Sequence, residues 1–161
     1  MYKPTDMRIY ADGVFDLFHY GHGNIFFQIR QKYPNATIIA GVHNDEVTLK
    51  YKGSPVMTEE ERLKSVSYCK FVDEVITNAP WVIDEEFLKL NNIDLVAHDE
   101  TPYPSIVNGI KVDDTYGYLK QTNRFVPVKY TDSISTSDLI GRILINHDLF
   151  KERNKARNKP Y

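Results

Sequence analysis

Gly13-Val14-Phe15-Asp16-Leu17-Phe18-His19-Tyr20-Gly21-His22 decides how this chain reads, because it joins a β-forming segment to a helical one through two histidines and two glycines. Before it, Met7-Arg8-Ile9-Tyr10-Ala11 is short and rich in β-formers, and after it Asn24 to Arg30 sets Ile25, Phe26 and Ile29 at helical spacing. The motif therefore falls on a strand-to-helix turn. In a parallel α/β sheet such a turn collects ligands, since the helix start offers unpaired N–H groups and a positive dipole end to an anion. Two imidazoles three residues apart can both face one phosphate there, with Gly21 letting the backbone approach without a Cβ in the way. Two rival readings compete. As a metal site, His-x-x-His supplies only two ligands, and no cysteine or acidic partner stands at the usual zinc spacing. A core or capping role is ordinary for an isolated histidine and less so for H-x-G-H between a strand and a helix.

Working outward, 161 residues suit one domain with a single core, and the composition is that of a soluble globular protein. No apolar run is long enough to span a bilayer and the N-terminus lacks a signal-peptide pattern, so the expectation is a cytoplasmic protein with no membrane segment. The single cysteine, Cys69, cannot form an intramolecular disulfide, which agrees with a reducing compartment. The net charge is −2, and the last eleven residues carry five Lys or Arg against one Glu. Taking that +4 away leaves the other residues at −6. So acidic a body is a poor general nucleic-acid binder, and its phosphate sites must be local concentrations of positive charge.

Thr37 to Val42 reads as a second buried strand, completing a β-α-β unit whose right-handed crossover opens a doubly wound sheet. His43 to Glu46 ends it where a nucleotide loop can lie. Glu46 to Met57 is polar and reads as a loop carrying Lys52 and Gly53, before a helix opened by the capping box of Thr58 and Glu61. Phe71 to Ile76 is the next strand, Asp84 to Leu90 a short helix, and Asp94 to Ala97 another strand. Trp81 and His98-Asp99 thus fall at strand ends, on the ligand side of an open sheet. Pro104 to Tyr116 is loop-like with Asn108-Gly109 as a turn signal, Asp113 to Lys120 is helical, and Phe125 to Val128 is a last strand that Pro127 confines to an edge. Ser135, Thr136 and Ser137 open an apolar helix. Hydroxyls there are ordinary N-caps, and they also make a second phosphate site.

The blocks Tyr10 to His19, Tyr51-Lys52-Gly53, Phe71 to Val75, Asn78 to Trp81, Val96 to Asp99 and Ile134 to Ser137 occur in an order that resembles the cytidylyltransferases of the H-x-G-H nucleotidyltransferase superfamily, the choline-phosphate branch in particular. The resemblance runs from Arg8 to about Phe150. It implies an α/β, Rossmann-like doubly wound parallel sheet in a single domain, with residues 1–150 catalytic; the basic, polar tail of residues 151–161 reads by its composition as a terminal helix that frays. It further implies transfer of CMP from CTP to phosphocholine, giving CDP-choline and pyrophosphate, with Mg²⁺ accompanying CTP and a homodimer formed through the Phe71 block. In the relatives arginine usually stands at Lys70.

By the same resemblance His19, His22 and Lys52 hold the triphosphate and the transferring group, and Ser135 and Thr136 bind nucleotide phosphates. Gly13 and Phe15 line the nucleotide through the backbone, while Asp99 contacts the nucleoside. Asp12, Trp81, His98 and Tyr103 surround the choline head. That last set also makes chemical sense by itself: a quaternary ammonium has no N–H to donate, so aromatic faces and a carboxylate hold it best. The His19 to His22, Gly41 to Glu46 and Asp138 to Arg142 blocks look closer to the ethanolamine-phosphate branch, so the same reaction on phosphoethanolamine is the first alternative. An adenylyltransferase is the second, and a CTP-binding regulatory subunit without turnover the third. Tyr130 stands where the relatives carry arginine and Ser133 where they carry glycine, which removes a bidentate phosphate clamp unless Lys129 or Arg124 substitutes.

Overall fold

A computed structural model describes residues 7–159. Strand β1 (Arg8–Gly13) leads through the motif into α1 (Tyr20–Lys32), and β2 (Thr37–Val42) returns parallel to it, pairing Arg8 with Thr37 through Gly13 with Val42. Next come α2 (Asp45–Tyr51), α3 (Glu59–Ser67), β3 (Glu74–Ile76), α4 (Glu85–Leu90) and β4 (Leu95–Asp99). A hairpin of β5 (Ser105–Val107) and β6 (Ile110–Val112) precedes α5 (Gly117–Gln121), β7 (Phe125–Val128), α6 (Thr136–Ile145) and α7 (His147–Ala156). Five strands make one parallel sheet in the order β3-β2-β1-β4-β7, so the doubly wound expectation holds and Pro127 lies on an edge strand.

The period-two alternation of the strands sorts the core into two layers. Ile9, Ala11, Ile38, Ala40 and Val42 pack against Phe26 and Ile29 of α1 and Val66 of α3. From the other face, Tyr10, Ile39 and Val96 meet Leu88 of α4 and Leu119 of α5. The direction of winding reverses between β1 and β4, and their carboxyl ends splay into a crevice there.

Several expectations are corrected. The polar stretch after Glu46 is not all loop: α2 occupies Asp45–Tyr51, capped by Asn44 Oδ1, which accepts from Val47 N–H at 2.7 Å. Only Thr48 of it is buried, so it carries no apolar stripe to betray it. Residues 105–112 form the β5–β6 hairpin, whose Asn108 (φ 51°) and Gly109 (φ 80°) make the left-handed turn that joins two short strands. The strand expected from Phe71 begins only at Glu74. Before it Asp73 is committed to a turn, accepting from Ile38 N–H at 2.7 Å and pairing with Arg30 at 2.6 Å. Helix α5 begins at Gly117, four residues later than expected, because Asp114 turns the chain first by accepting from the N–H groups of Tyr103 and Tyr116. Helix α7 runs across the position where the basic tail was expected to start, and Pro160 and Tyr161 of that tail lie outside the described residues.

Candidate active site

Helix α1 starts at Tyr20, so His19 is its N-cap and His22 its third residue. His19 Nδ1 accepts from Gly21 N–H at 3.1 Å, and His22 Nδ1 accepts from His19 N–H at 3.3 Å. The pair thus forms a capping box built from two imidazoles, a job that serine and glutamate usually do. Because both Nδ1 atoms accept, each neutral ring carries its proton on Nε2. The rings stack at 3.8 Å between centroids, and His19 Nε2 is buried without a partner. Capping and ligand facing, rivals in the sequence, are one geometry here.

Gly21 is needed for a reason different from the one expected. A Cβ on it would come within 2.9 Å of the His19 ring and 3.1 Å of Ile134 Cγ2, so the glycine clears space for the imidazole before it clears any for a ligand. Burial lowers the His19 pKa and takes that of His22 down to about 3, and the nearness of the His19 ring and of the Lys52 ammonium further disfavours a charge on His22. Without a bound anion both rings are neutral N–H donors.

These rings face a cleft of about 470 Å³ above the β1 and β4 ends. Asp12, Gly13, Phe15, His19, His22, Lys52, His98, Asp99, Tyr103, Ser135 and Thr136 all line it, so the fold gathers eleven of the twelve candidate residues around one space. Trp81 is the exception. It lines a small annexe of about 30 Å³ that shares Asp12, Gly13, Lys52, His98 and Tyr103 with the cleft. Trp81 Nε1 donates to Ser105 Oγ at 3.0 Å on the hairpin, and its ring stacks on Tyr51 of α2 at 4.7 Å. The annexe has about one water molecule's share of volume, so a larger headgroup must open it.

Asp12 forms the annexe floor. Its Oδ1 accepts from the Tyr116 hydroxyl at 3.0 Å, while Oδ2 is buried and unpartnered, with His43 Nε2 at 3.5 Å. An acceptor left bare among aromatic rings is suited to a ligand cation. Tyr116, stacked at 4.2 Å on His98, is a site residue the sequence reading missed. No local pattern marks it, since its partner Asp12 lies 104 residues away.

On the helix α6 side of the cleft the hydroxyls of Ser135 and Thr136 both have partners within the fold. Ser135 Oγ is the N-cap, accepting from Asp138 N–H at 3.1 Å and donating to Asp138 Oδ2 at 2.7 Å, and Thr136 Oγ1 donates to the Asp16 carbonyl at 2.9 Å. The hydroxyls already have structural partners, which leaves the first-turn N–H groups of α6 as its offer to an anion. Tyr130 and Lys129 reach the cleft, whereas Arg124 does not: its guanidinium is held by Glu85 at 3.0 Å. Lys129 alone of the two suggested substitutes stands where the clamp would act.

Two further devices hold the loops in place. The buried Asp16 carboxylate accepts from Leu17, Val56 and Met57 N–H, tying the segment after Lys52 to the motif turn. Along α1, Tyr20, Asn24 and Gln28 lie four residues apart and bond Ser133, Thr131 and Lys129 in turn, at 2.5, 2.9 and 3.0 Å. The strap follows the helix from Lys129 to Thr131 and then turns at 132–133, which brings Ser133 onto Tyr20. Among the described residues no three His, Cys, Asp or Glu side chains converge as a metal site.

A parallel sheet in this order, with a double-histidine helix start facing a crevice between β1 and β4, defines an α/β domain of the nucleotidyltransferase fold. A family model described as cytidylyltransferase-like matches residues 10–142, and the chain belongs to that family. It is 46% identical over 151 residues to choline-phosphate cytidylyltransferase A of Rattus norvegicus, covering 94% of this chain and 40% of that protein. Against the ethanolamine-phosphate cytidylyltransferase of Dictyostelium discoideum the identity is 41% over 143 residues, 89% of this chain and 38% of that one. The chain therefore spans about two fifths of the length of the curated relatives it matches. The fold is shared with the lipopolysaccharide core biosynthesis protein of Thermoplasma volcanium GSS1, at TM-score 0.60 and 19% identity over 78% of this chain and 98% of that chain.

Proposed function

We propose that this domain transfers CMP from CTP to phosphocholine, releasing CDP-choline and pyrophosphate. The observation that carries the reading is the junction of two chemistries in one space: paired neutral Nε2–H donors in the cleft, and an aromatic annexe floored by an unpartnered carboxylate oxygen. A phosphate oxygen of the acceptor attacks the α-phosphorus of CTP in line, and the bond to the pyrophosphate oxygen breaks. That nucleophile is already anionic at neutral pH, so no general base is required. The protein's part is to position two polyanions and to stabilise charge on the leaving group. His19, His22, Lys52 and the N–H groups opening α6 do this, with Gly13 and Phe15 beside the nucleotide and Asp99 toward the nucleoside.

In this reading CTP would be accompanied by Mg²⁺, whose chemistry would be to screen phosphate charge. Asp12, bonded to Tyr116, and Asp99, 3.2 Å from His98, offer it no carboxylate cage. The dimer is proposed to form at the β3 edge, where Tyr68 is 82% exposed and Lys70 lies over Phe71. Among the described residues no helix is long and apolar enough to cross a membrane, and a cytoplasmic location remains part of the proposal.

The small annexe favours one second reading. A primary ammonium is smaller than trimethylammonium and can donate directly to Asp12 Oδ2, so phosphoethanolamine is the competing acceptor. Pyrophosphate release with CTP and Mg²⁺, measured with each acceptor, separates them. The expected result is turnover that favours phosphocholine; preference for phosphoethanolamine selects the second reading. Silence with both, alongside calorimetric CTP binding, selects a nucleotide-binding subunit without turnover.

A further inference from the structure

We propose that Lys52 couples headgroup binding in the annexe to the nucleotide, because its own ammonium holds the aromatic wall until a ligand cation displaces it onto the nucleotide's phosphates. The inference rests on the headgroup reading given above. Lys52 is the C-cap of α2, and its Nζ lies 5.5 Å from the centroid of the Tyr103 ring, within cation–π range. It lines the cleft and the annexe alike, as Tyr103 does. Its backbone is pinned by a 2.8 Å bond from Lys52 N–H to the Thr48 carbonyl, so the travel belongs to the four-carbon stem alone.

Two cations cannot share that wall. Two like charges on one ring face repel strongly where water is scarce, so an arriving ammonium expels the lysine. The other stop for the stem is the cleft, where its field already reaches His22. A triphosphate there attracts it. Nucleotide and headgroup therefore each favour the Lys52 position that the other requires, and linkage makes the coupling reciprocal. The acceptor's arrival delivers the positive charge that the leaving pyrophosphate needs, whereas CTP alone shares Lys52 with Tyr103.

Trp81 is the chain's single tryptophan and lines the annexe, so its fluorescence reports headgroup binding. Choline and ethanolamine, which carry the ammonium but no phosphate, are titrated with and without CTP into the parent and into Lys52→Met, whose stem is similar but uncharged. In the parent, CTP should tighten choline binding two- to fivefold, the range a surface cation–π contact supports. Lys52→Met should bind choline tighter by a similar factor without CTP and lose the response to CTP. If neither ammonium binds Lys52→Met more tightly than the parent, or if the CTP effect survives the substitution, the inference is overturned. If ethanolamine alone shows the expected pattern, the phosphocholine reading fails and the role of Lys52 stands. If neither ammonium binds either protein, both fail.

Discussion

His19 and His22 place their Nδ1 lone pairs on backbone N–H groups, and this fixes their chemistry as neutral donors before any ligand arrives. A stability consequence follows from the buried ring of His22. Its folded pKa of about 3 lies below the ordinary 6.5, so below pH 6.5 the unfolded chain takes up a proton that the folded chain refuses. Its contribution to stability is fully present above pH 6.5 and falls progressively as pH drops from there toward 3. His22→Gln, an amide that does not titrate, should flatten the dependence of the thermal midpoint on pH between 6.5 and 4. Parallel curves for parent and variant would refute the buried neutral imidazole. At this scale the sequence was generous: H-x-G-H placed both histidines in the cleft. It did not show that Gly21 exists to clear the His19 ring, since that contact and the one from Ile134 depend on how the turn closes.

Elements are joined here by periodicity. The stripe of Tyr20, Asn24 and Gln28 on α1 matches the alternate residues 133, 131 and 129 of the strap between β7 and α6, and the strap carries Lys129 and Tyr130 into the cleft. Gln28 does most, since Lys129 N–H also donates to its Oε1 at 2.8 Å. Gln28→Leu removes both bonds, each worth about 1 kcal/mol net. The expected result is a roughly fivefold rise in KM for CTP at nearly unchanged kcat, with faster hydrogen exchange at the Lys129 amide and unchanged exchange in the core of α1. An unaltered KM beside accelerated exchange would reduce the stripe to a structural tie. The polar face of α1 could be read from the sequence, but not its partner, which is about a hundred residues away. Elements α2 and β5–β6 were read as loops because so few of their residues are buried; they take their form from the Asn44 cap, from the Asn108-Gly109 turn and from packing on Trp81.

Across the whole molecule one buried cation ties the β1 and β2 ends together. Arg62 is fully buried and donates to the carbonyls of Val14 and His43 at 2.8 Å each, and to Asp45 Oδ1 at 2.6 Å. Arg62→Met strands two carbonyls and should cost about 3 kcal/mol, a fall of roughly 10 °C in thermal midpoint for a chain of this size. Asp45→Ala should cost far less, because the Asp45 side chain is 51% exposed and water replaces it. Equal losses in the two variants would contradict this assignment.

The sequence by itself determined the sheet, its parallel winding and the family motif, because period-two and helical patterns, capping residues and the H-x-G-H turn are local and act within a few residues. Through the family resemblance it also named eleven residues that line the cleft, most of which sit at strand ends and helix termini. Only the tertiary structure decided what each of them is free to do. That Thr136 is tied to the Asp16 carbonyl, that Arg124 is held by Glu85, that Asp12 keeps one oxygen without a hydrogen bond beneath Tyr116 and that Lys52 rests on Tyr103 all depend on partners distant in the chain. Chain closure, and not local propensity, brings those groups within hydrogen-bonding distance.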